Sequence, residues 1–177
     1  ILSFLLMNGK ADPATTNNFC IKQASLQGHY LTVSLLLNDN RVNPAAEDNY
    51  AFQRAAEKGY YPIVKLLLPF ADASANNNFS IKAAASNSYA DTVQLLLDKS
   101  NADPSADNNY ALKWAIIENH YDVVKVLLSD YRVDITEAYQ LATENDILLL
   151  LEENLRQYPT YEDRKINLLM SNKNINL

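Results

Sequence analysis

Apolar positions recur along this chain in blocks. Apolar triplets stand at Leu35–Leu37, Leu66–Leu68, Leu95–Leu97 and Val126–Leu128. An Asn followed by an aromatic precedes each triplet, the aromatics being Phe19, Tyr50, Phe79 and Tyr110, at spacings of 31, 29 and 31. Ala24, Ala55, Ala84 and Ala115 keep the same spacings. Three markers sharing one period define copies of a single unit. The two-residue deletion falls between Leu68 and Asp72, in the loop after the second apolar block, where a change of length is tolerated best.

Each unit predicts two antiparallel helices. In the first, Leu112, Ala115 and Ile116 follow the i, i+3, i+4 rule, as do Ile21/Ala24/Ser25, Phe52/Ala55/Ala56 and Ile81/Ala84/Ala85. Asn18, Asn49, Asn78 and Asn109 stand where an N-cap would accept an orphan N–H. The small central Ala implies close approach of neighbouring helices. Gly28 and Gly59 end the first helix in the left-handed conformation, and Ser88 and Asn119 replace them at tenser breaks. The second helix starts near Leu31, Pro62, Asp91 and Asp122. Val33, Leu36, Leu37 and their equivalents are its expected buried stripe. Ser34, Lys65, Gln94 and Lys125 are its solvent face.

The expected organisation is an array over 1–155. A partial unit occupies 1–11, full units occupy 12–42, 43–71, 72–102 and 103–133, and a degenerate cap occupies 134–155. A terminal helix or tail fills 156–177. Ala142 is aligned with the central Ala of the earlier units. An atypical last unit is what a stacked array needs to close its core. The chain begins without Met, and the expectation is a monomeric piece of a longer protein.

Composition narrows the function. Hydrophobic residues make up 48% and charged residues 20%, enough for a packed core. Only three Gly leave too few turns for an antiparallel sheet protein of this size. A net charge of −6 weighs against nucleic acid and anionic membranes as partners. The apolar start Ile1–Met7 lacks a basic leader and is too short to span a bilayer. Cys20 is the single cysteine, so no internal disulfide forms; an intracellular, cytoplasmic setting is expected, with Cys20 a small buried residue. No Gly-rich phosphate loop, zinc-type Cys/His set or nucleophile elbow occurs, so no catalytic residue, metal or cofactor is expected. His29 and His120 sit at equivalent helix junctions, too far apart to share a metal.

The run Ala24-Ser25-x-x-Gly28-His29-x-x-Thr32-Val33-x-Leu35-Leu36-Leu37, and its counterpart from Ala115 to Leu128, resembles an ankyrin repeat. The resemblance covers residues 1–155. It implies an all-α ankyrin-type solenoid of stacked helix–turn–helix units. The family's T-P-L-H turn reads Phe19-Cys-Ile-Lys22 and Tyr110-Ala-Leu-Lys113 here, with only the apolar third position kept. The segment from Asp103 to Asn109 is short and has no Gly, so a compact loop is expected in place of a projecting β-hairpin finger.

Such arrays bind proteins with the concave surface made by loops and first helices. On a wheel of about 100° per residue with Leu112 facing the core, Lys113, Trp114, Ile117 and Glu118 lie at about 100°, 200°, 140° and 240°. Their equivalents are Gln23, Leu26 and Gln27, then Arg54, Glu57 and Lys58, then Ala83, Ser86 and Asn87. Core columns repeat and this one varies, as suits a face tuned to a protein or peptide partner. Trp114 and Arg54 are its best anchors; equally, Trp114 and Ile117 fit as cover for the terminal unit. The expected function is a non-catalytic interaction scaffold, the alternative a structural spacer or self-associating module. The helix facing has a direct test in urea unfolding. Leu96→Ala costs about 2–5 kcal/mol and Gln94→Ala under about 0.5 kcal/mol, and equal losses would refute the facing.

Overall fold

The computed structural model describes residues 11–158. It is all-helical, with no strand among the described residues. The helices are α1 (Thr15–Leu26), α2 (Tyr30–Leu37), α3 (Ala46–Glu57), α4 (Tyr61–Leu67), α5 (Ala75–Ser86), α6 (Ala90–Lys99), α7 (Ala106–Ile117), α8 (Tyr121–Leu128), α9 (Ala138–Leu141) and α10 (Asn145–Gln157). A 3-10 turn, Leu68–Phe70, follows α4 and absorbs the two-residue deletion. The first helices α1, α3, α5 and α7 stack in one layer, and α2, α4, α6 and α8 stack in the other. This is the expected solenoid. The expected helices within 1–10 and beyond Tyr158 lie outside the described residues.

Each unit opens with a compact turn. The side chains of Asp12, Asn43, Asp72, Asp103 and Asp134 each accept the N–H two residues on, at 2.9–3.1 Å. Three residues with positive φ follow in each full unit: Thr16–Asn18, Glu47–Asn49, Asn76–Asn78 and Asp107–Asn109. Only then does the right-handed helix begin, at Phe19, Tyr50, Phe79 and Tyr110. L-residues pay roughly 1–2 kcal/mol each for this left-handed state, least for Asn and Asp, whose short side chains bond locally. Ten of the twelve positions are Asn or Asp, which is why this stretch is so rich in them.

The third of these residues does not cap its own helix as expected. Instead its Oδ1 accepts the first N–H of the next unit. The bonds are Asn43 to Asn18 at 2.7 Å, Asp72 to Asn49 at 3.0 Å, Asp103 to Asn78 at 2.6 Å and Asp134 to Asn109 at 2.8 Å. The left-handed backbone turns the amide away from its own helix start and toward the neighbouring loop. All four Asn are buried, so each amide oxygen is held out of water against the neighbouring loop.

The helix junctions follow the expected pattern. The N–H groups of His29, Tyr60, Tyr89 and His120 bond to the carbonyls of Ala24, Ala55, Ala84 and Ala115 at 2.8–2.9 Å, closing each first helix with a Schellman turn. Gly28, Gly59, Ser88 and Asn119 hold its positive-φ position, two of them non-Gly and therefore strained. At the Gly positions space also matters. A Cβ on Gly28 would lie 2.8 Å from the Tyr60 ring, and one on Gly59 would lie 2.4 Å from the Tyr89 ring.

The core is one continuous column. Ile21, Phe52, Ile81, Leu112, the central alanines, Val33, Val64, Val93, Val124, Leu36, Leu67, Leu96 and Leu127 are all buried. Leu37, Leu68 and Leu97, expected in the stripe, are only half-buried, because one step round the helix turns them to the rim of the core. Cys20 is exposed, against expectation. Its equivalents Ala51, Ser80 and Ala111 are buried. In the last unit the first helix shrinks to the four residues of α9. Ala138 is the buried alanine there, and Ala142 falls in extended chain after the helix, so its alignment with the central Ala does not hold. Ile147 and Leu151 of α10 join the core. The inter-unit amide bond has its own test. Asn78→Ala leaves the N–H of Asp103 without its partner and lowers stability in urea by about 1–3 kcal/mol; an unchanged unfolding midpoint would refute the role.

Candidate binding face

The outward side of the first-helix layer carries the residues expected to form the site. Trp114 and Ile117 are 38% and 47% exposed, so the shortened terminal unit does not cover them. The Trp114 ring lies 5.8 Å from that of Tyr110 on the same helix. Gln27, Lys58, Asn87 and Glu118 are exposed, and Gln23, Leu26, Glu57 and Ser86 are half-buried. Ser86 turns its hydroxyl back to the carbonyl of Lys82, and the amide of Asn87 bonds the carbonyl of Ala83.

Arg54 is held between two aromatic rings and a carboxylate. Its guanidinium carbon is 5.0 Å from the centroid of Tyr50 and 5.0 Å from that of Phe79 in the next unit. Its Nη1 donates to Glu57 at 2.6 Å. Its Nε is buried and has no hydrogen-bond partner in the structure. Stacking between two rings while bridging a carboxylate suits the flat, weakly hydrated guanidinium and would not suit Lys.

The column of first-helix aromatics also belongs to this face, and sequence reasoning passed it over as a repeat marker. Phe19 is 51% exposed and Tyr110 37%, with Tyr50 and Phe79 half-buried under Arg54. On the same wheel Tyr110 lies at about 160°, between Ile117 and Trp114. That angle was the available signal.

A polar ladder runs beside the aromatics and points forward along the array. Lys22 pairs with Glu47 at 2.6 Å, Gln53 bonds Asn76 at 3.2 Å, Lys82 pairs with Asp107, and Lys113 pairs with Glu137 at 2.6 Å. Asn17 and Asn77 add bonds to the same Glu47 and Asp107 carboxylates. Lys82 also lies 5.6 Å over the Tyr110 ring. Lys113, expected as a partner contact, thus already holds a carboxylate of the terminal unit. Partly exposed pairs of this kind add little to stability, so their main effect is to hold side chains in place.

Other candidate chemistry resolves into packing. His120 Nε2 is 3.1 Å from the carbonyl oxygen of Ser86, a junction hydrogen bond. Among the described residues no group of His, Cys, Asp and Glu is placed to hold a metal ion. None of the described helices is long and apolar enough to cross a membrane. A groove of about 510 Å³ lies on the opposite side, between the second helices, lined by Tyr61, Tyr89, Asp91, Asp122 and Lys125 among others. It includes none of the expected site residues.

Salt-bridged and hydrogen-bonded carboxylates give the fold an acid-sensitive component. The Arg41 side chain lowers Asp39 from its ordinary 3.8 to about 2. Lys22 lowers Glu47, Ser74 and Asn101 lower Asp72, and Lys82 lowers Asp107. A carboxylate whose folded pKa lies below its unfolded value stabilises the fold above the unfolded value, and that contribution is lost as pH falls through the folded one. The thermal midpoint is therefore expected to hold from neutral pH to about 5 and to drop between about 4 and 2. A midpoint constant down to pH 2 would contradict these pairings.

Residues 52–138 match the family model described as Ankyrin repeats (3 copies), and these residues run from the middle of α3 into α9. No curated protein and no solved structure matches the chain. Helix pairs stacked in two layers, Schellman junctions after a central Ala, and this match agree with one another: the chain is an ankyrin-repeat protein.

Proposed function

We propose that this chain is a non-catalytic binding module that holds a protein or peptide partner on the concave, first-helix face of its array. Ankyrin repeats generally serve as protein–protein interaction modules, and that is the role this family brings to the chain. The observation that carries the finer reading is the exposed aromatic column with Arg54 immobilised in it. Rigid aromatics and Arg contribute most to interface energy, since little side-chain freedom is lost when a partner docks. Lys22, Arg54, Lys82 and Lys113 are held by their own partners, so the face is already shaped before binding. The exposed cluster of Tyr110, Trp114 and Ile117 supplies an apolar centre at one end of it.

Affinity capture with matched variants tests the reading. Wild-type protein is expected to retain a partner that Trp114→Ala and Arg54→Ala each lose by tenfold or more in affinity, about 1.4 kcal/mol. Lys65→Ala, on the second-helix face, is expected to retain it. Equal retention by all variants would refute this face. A stable homo-oligomer in light scattering that Trp114→Ala dissolves would instead make the face a self-association surface.

A further inference from the structure

We infer that the second-helix face pairs with a second copy of this chain, α4 of each copy lying over α6 of the other. This face lies opposite the one proposed above for a partner, and pairing on it leaves that one free. A groove of about 770 Å³ runs between α4 and α6. Tyr61 and Leu68 on the α4 side and Leu95 on the α6 side give it a half-buried apolar lining. Lys65 stands exposed on the α4 wall, and Asp91 and Asp98 stand exposed on the α6 wall.

The charges here differ from those of the first-helix face. There, Lys22, Lys82 and Lys113 each already hold a carboxylate of the next unit. Among the described residues, Lys65 holds no carboxylate, and neither Asp91 nor Asp98 holds a Lys or Arg. Asp98 accepts the amide of Gln94, at 2.8 Å, on its own helix. The groove thus sets an apolar lining between walls of opposite sign, neither satisfied by the other. An occupant of one sign would meet a like charge on one wall. The occupant that fits carries carboxylates opposite α4 and an ammonium opposite α6, and a second copy of this same face carries both.

Symmetry decides the arrangement. Identical chains pair most often about a two-fold axis, each offering the same patch. Lys65 of α4 is equivalent to Gln94 of α6, at the unit spacing of 29. An axis running along the groove, parallel to the helices, sets α4 of one copy over α6 of the other with Lys65 level with Gln94. At about 1.5 Å per residue, Asp91 then lies about 4.5 Å back along the helix and Asp98 about 6 Å ahead, both within the span of a Lys side chain. Lys99, the last residue of α6, lies level with the 3-10 turn Leu68–Phe70 of the other copy, where no Lys or Arg stands. Each contact occurs twice, and the apolar linings of the two copies meet at the axis. An axis across the helices would set each wall on its own counterpart, Lys65 toward Lys65 and carboxylates toward carboxylates. The apolar lining supplies attraction, and the charges select the parallel arrangement.

Sedimentation equilibrium on a concentration series of the full chain tests this, with melting temperature as the folding control. The wild type is expected to reach the mass of a dimer. Lys65→Glu sets like charges against each other in both halves of the pair, and so does the double variant Asp91→Asn/Asp98→Lys. Each alone is expected to dimerise at least about tenfold more weakly, with an unchanged melting temperature because all three positions are exposed. Mixed in equal amounts, the two variants are expected to recover the dimer. The new carboxylate of one then faces the new ammonium of the other, and the second half keeps its native pairing. A wild type that stays monomeric throughout, variants that dimerise as well as it does, or a mixture that recovers no dimer would each overturn the inference. A dimer that Trp114→Ala dissolves and these variants do not would also overturn it, and would move self-association to the first-helix face.

Discussion

The Oδ1 atoms of Asn18, Asn49, Asn78 and Asn109 each accept the first backbone N–H of the following unit. This bond sets the stack. Each of the four turns is short and buried at the Asn, so the amide oxygen has the neighbouring N–H as its partner. Because donor and acceptor sit on different units, a unit folded alone would leave one orphan at each end. The stack therefore becomes cooperative at the level of single hydrogen bonds, beyond the shared apolar core. Loop contacts reinforce it. Arg132 donates to the carbonyl of Ala102 at 2.9 Å, and the N–H of Ala73 donates to Asn101 at 3.1 Å.

The same Asn explains the left-handed triplets. A helix entered directly from the Asp turn would aim the amide at its own first turn, as a cap. Three positive-φ residues turn it outward instead. The conformational cost is real, and the Asn- and Asp-rich composition keeps it low. Thr16 and Glu47 are the exceptions. Glu47 is compensated through its carboxylate, which receives Lys22 and Asn17 from the unit before. Local strain and inter-unit pairing are thus carried by the same short segment.

That segment also orients the outward face. The right-handed helix begins one residue after the Asn, which puts Phe19, Tyr50, Phe79 and Tyr110 at identical places in successive units. The forward-reaching Lys and Gln side chains brace them. The side chains of this face are ordered by their neighbours, which leaves them little rotamer freedom. The units differ on this face at Gln23, Arg54, Ala83 and Trp114, and again at Leu26, Glu57, Ser86 and Ile117.

Period, helix pairs, core alanines and left-handed breaks were legible in the sequence, because each follows from a local rule applied four times: helical spacing, small residues at close approach, Gly or Asn after a helix. The outward facing of Trp114, Arg54 and Ile117 was legible for the same reason, as an angle on a wheel. Tertiary structure alone decided three things. It turned Asn18 and its equivalents from caps into inter-unit acceptors, since their partner lies 23–25 residues away and no local rule reaches it. It exposed Trp114, since burial depends on what the adjoining unit supplies. And it placed Arg54 between two aromatic rings of different units, a contact set by the spacing of stacked helices rather than by any residue's position along its own.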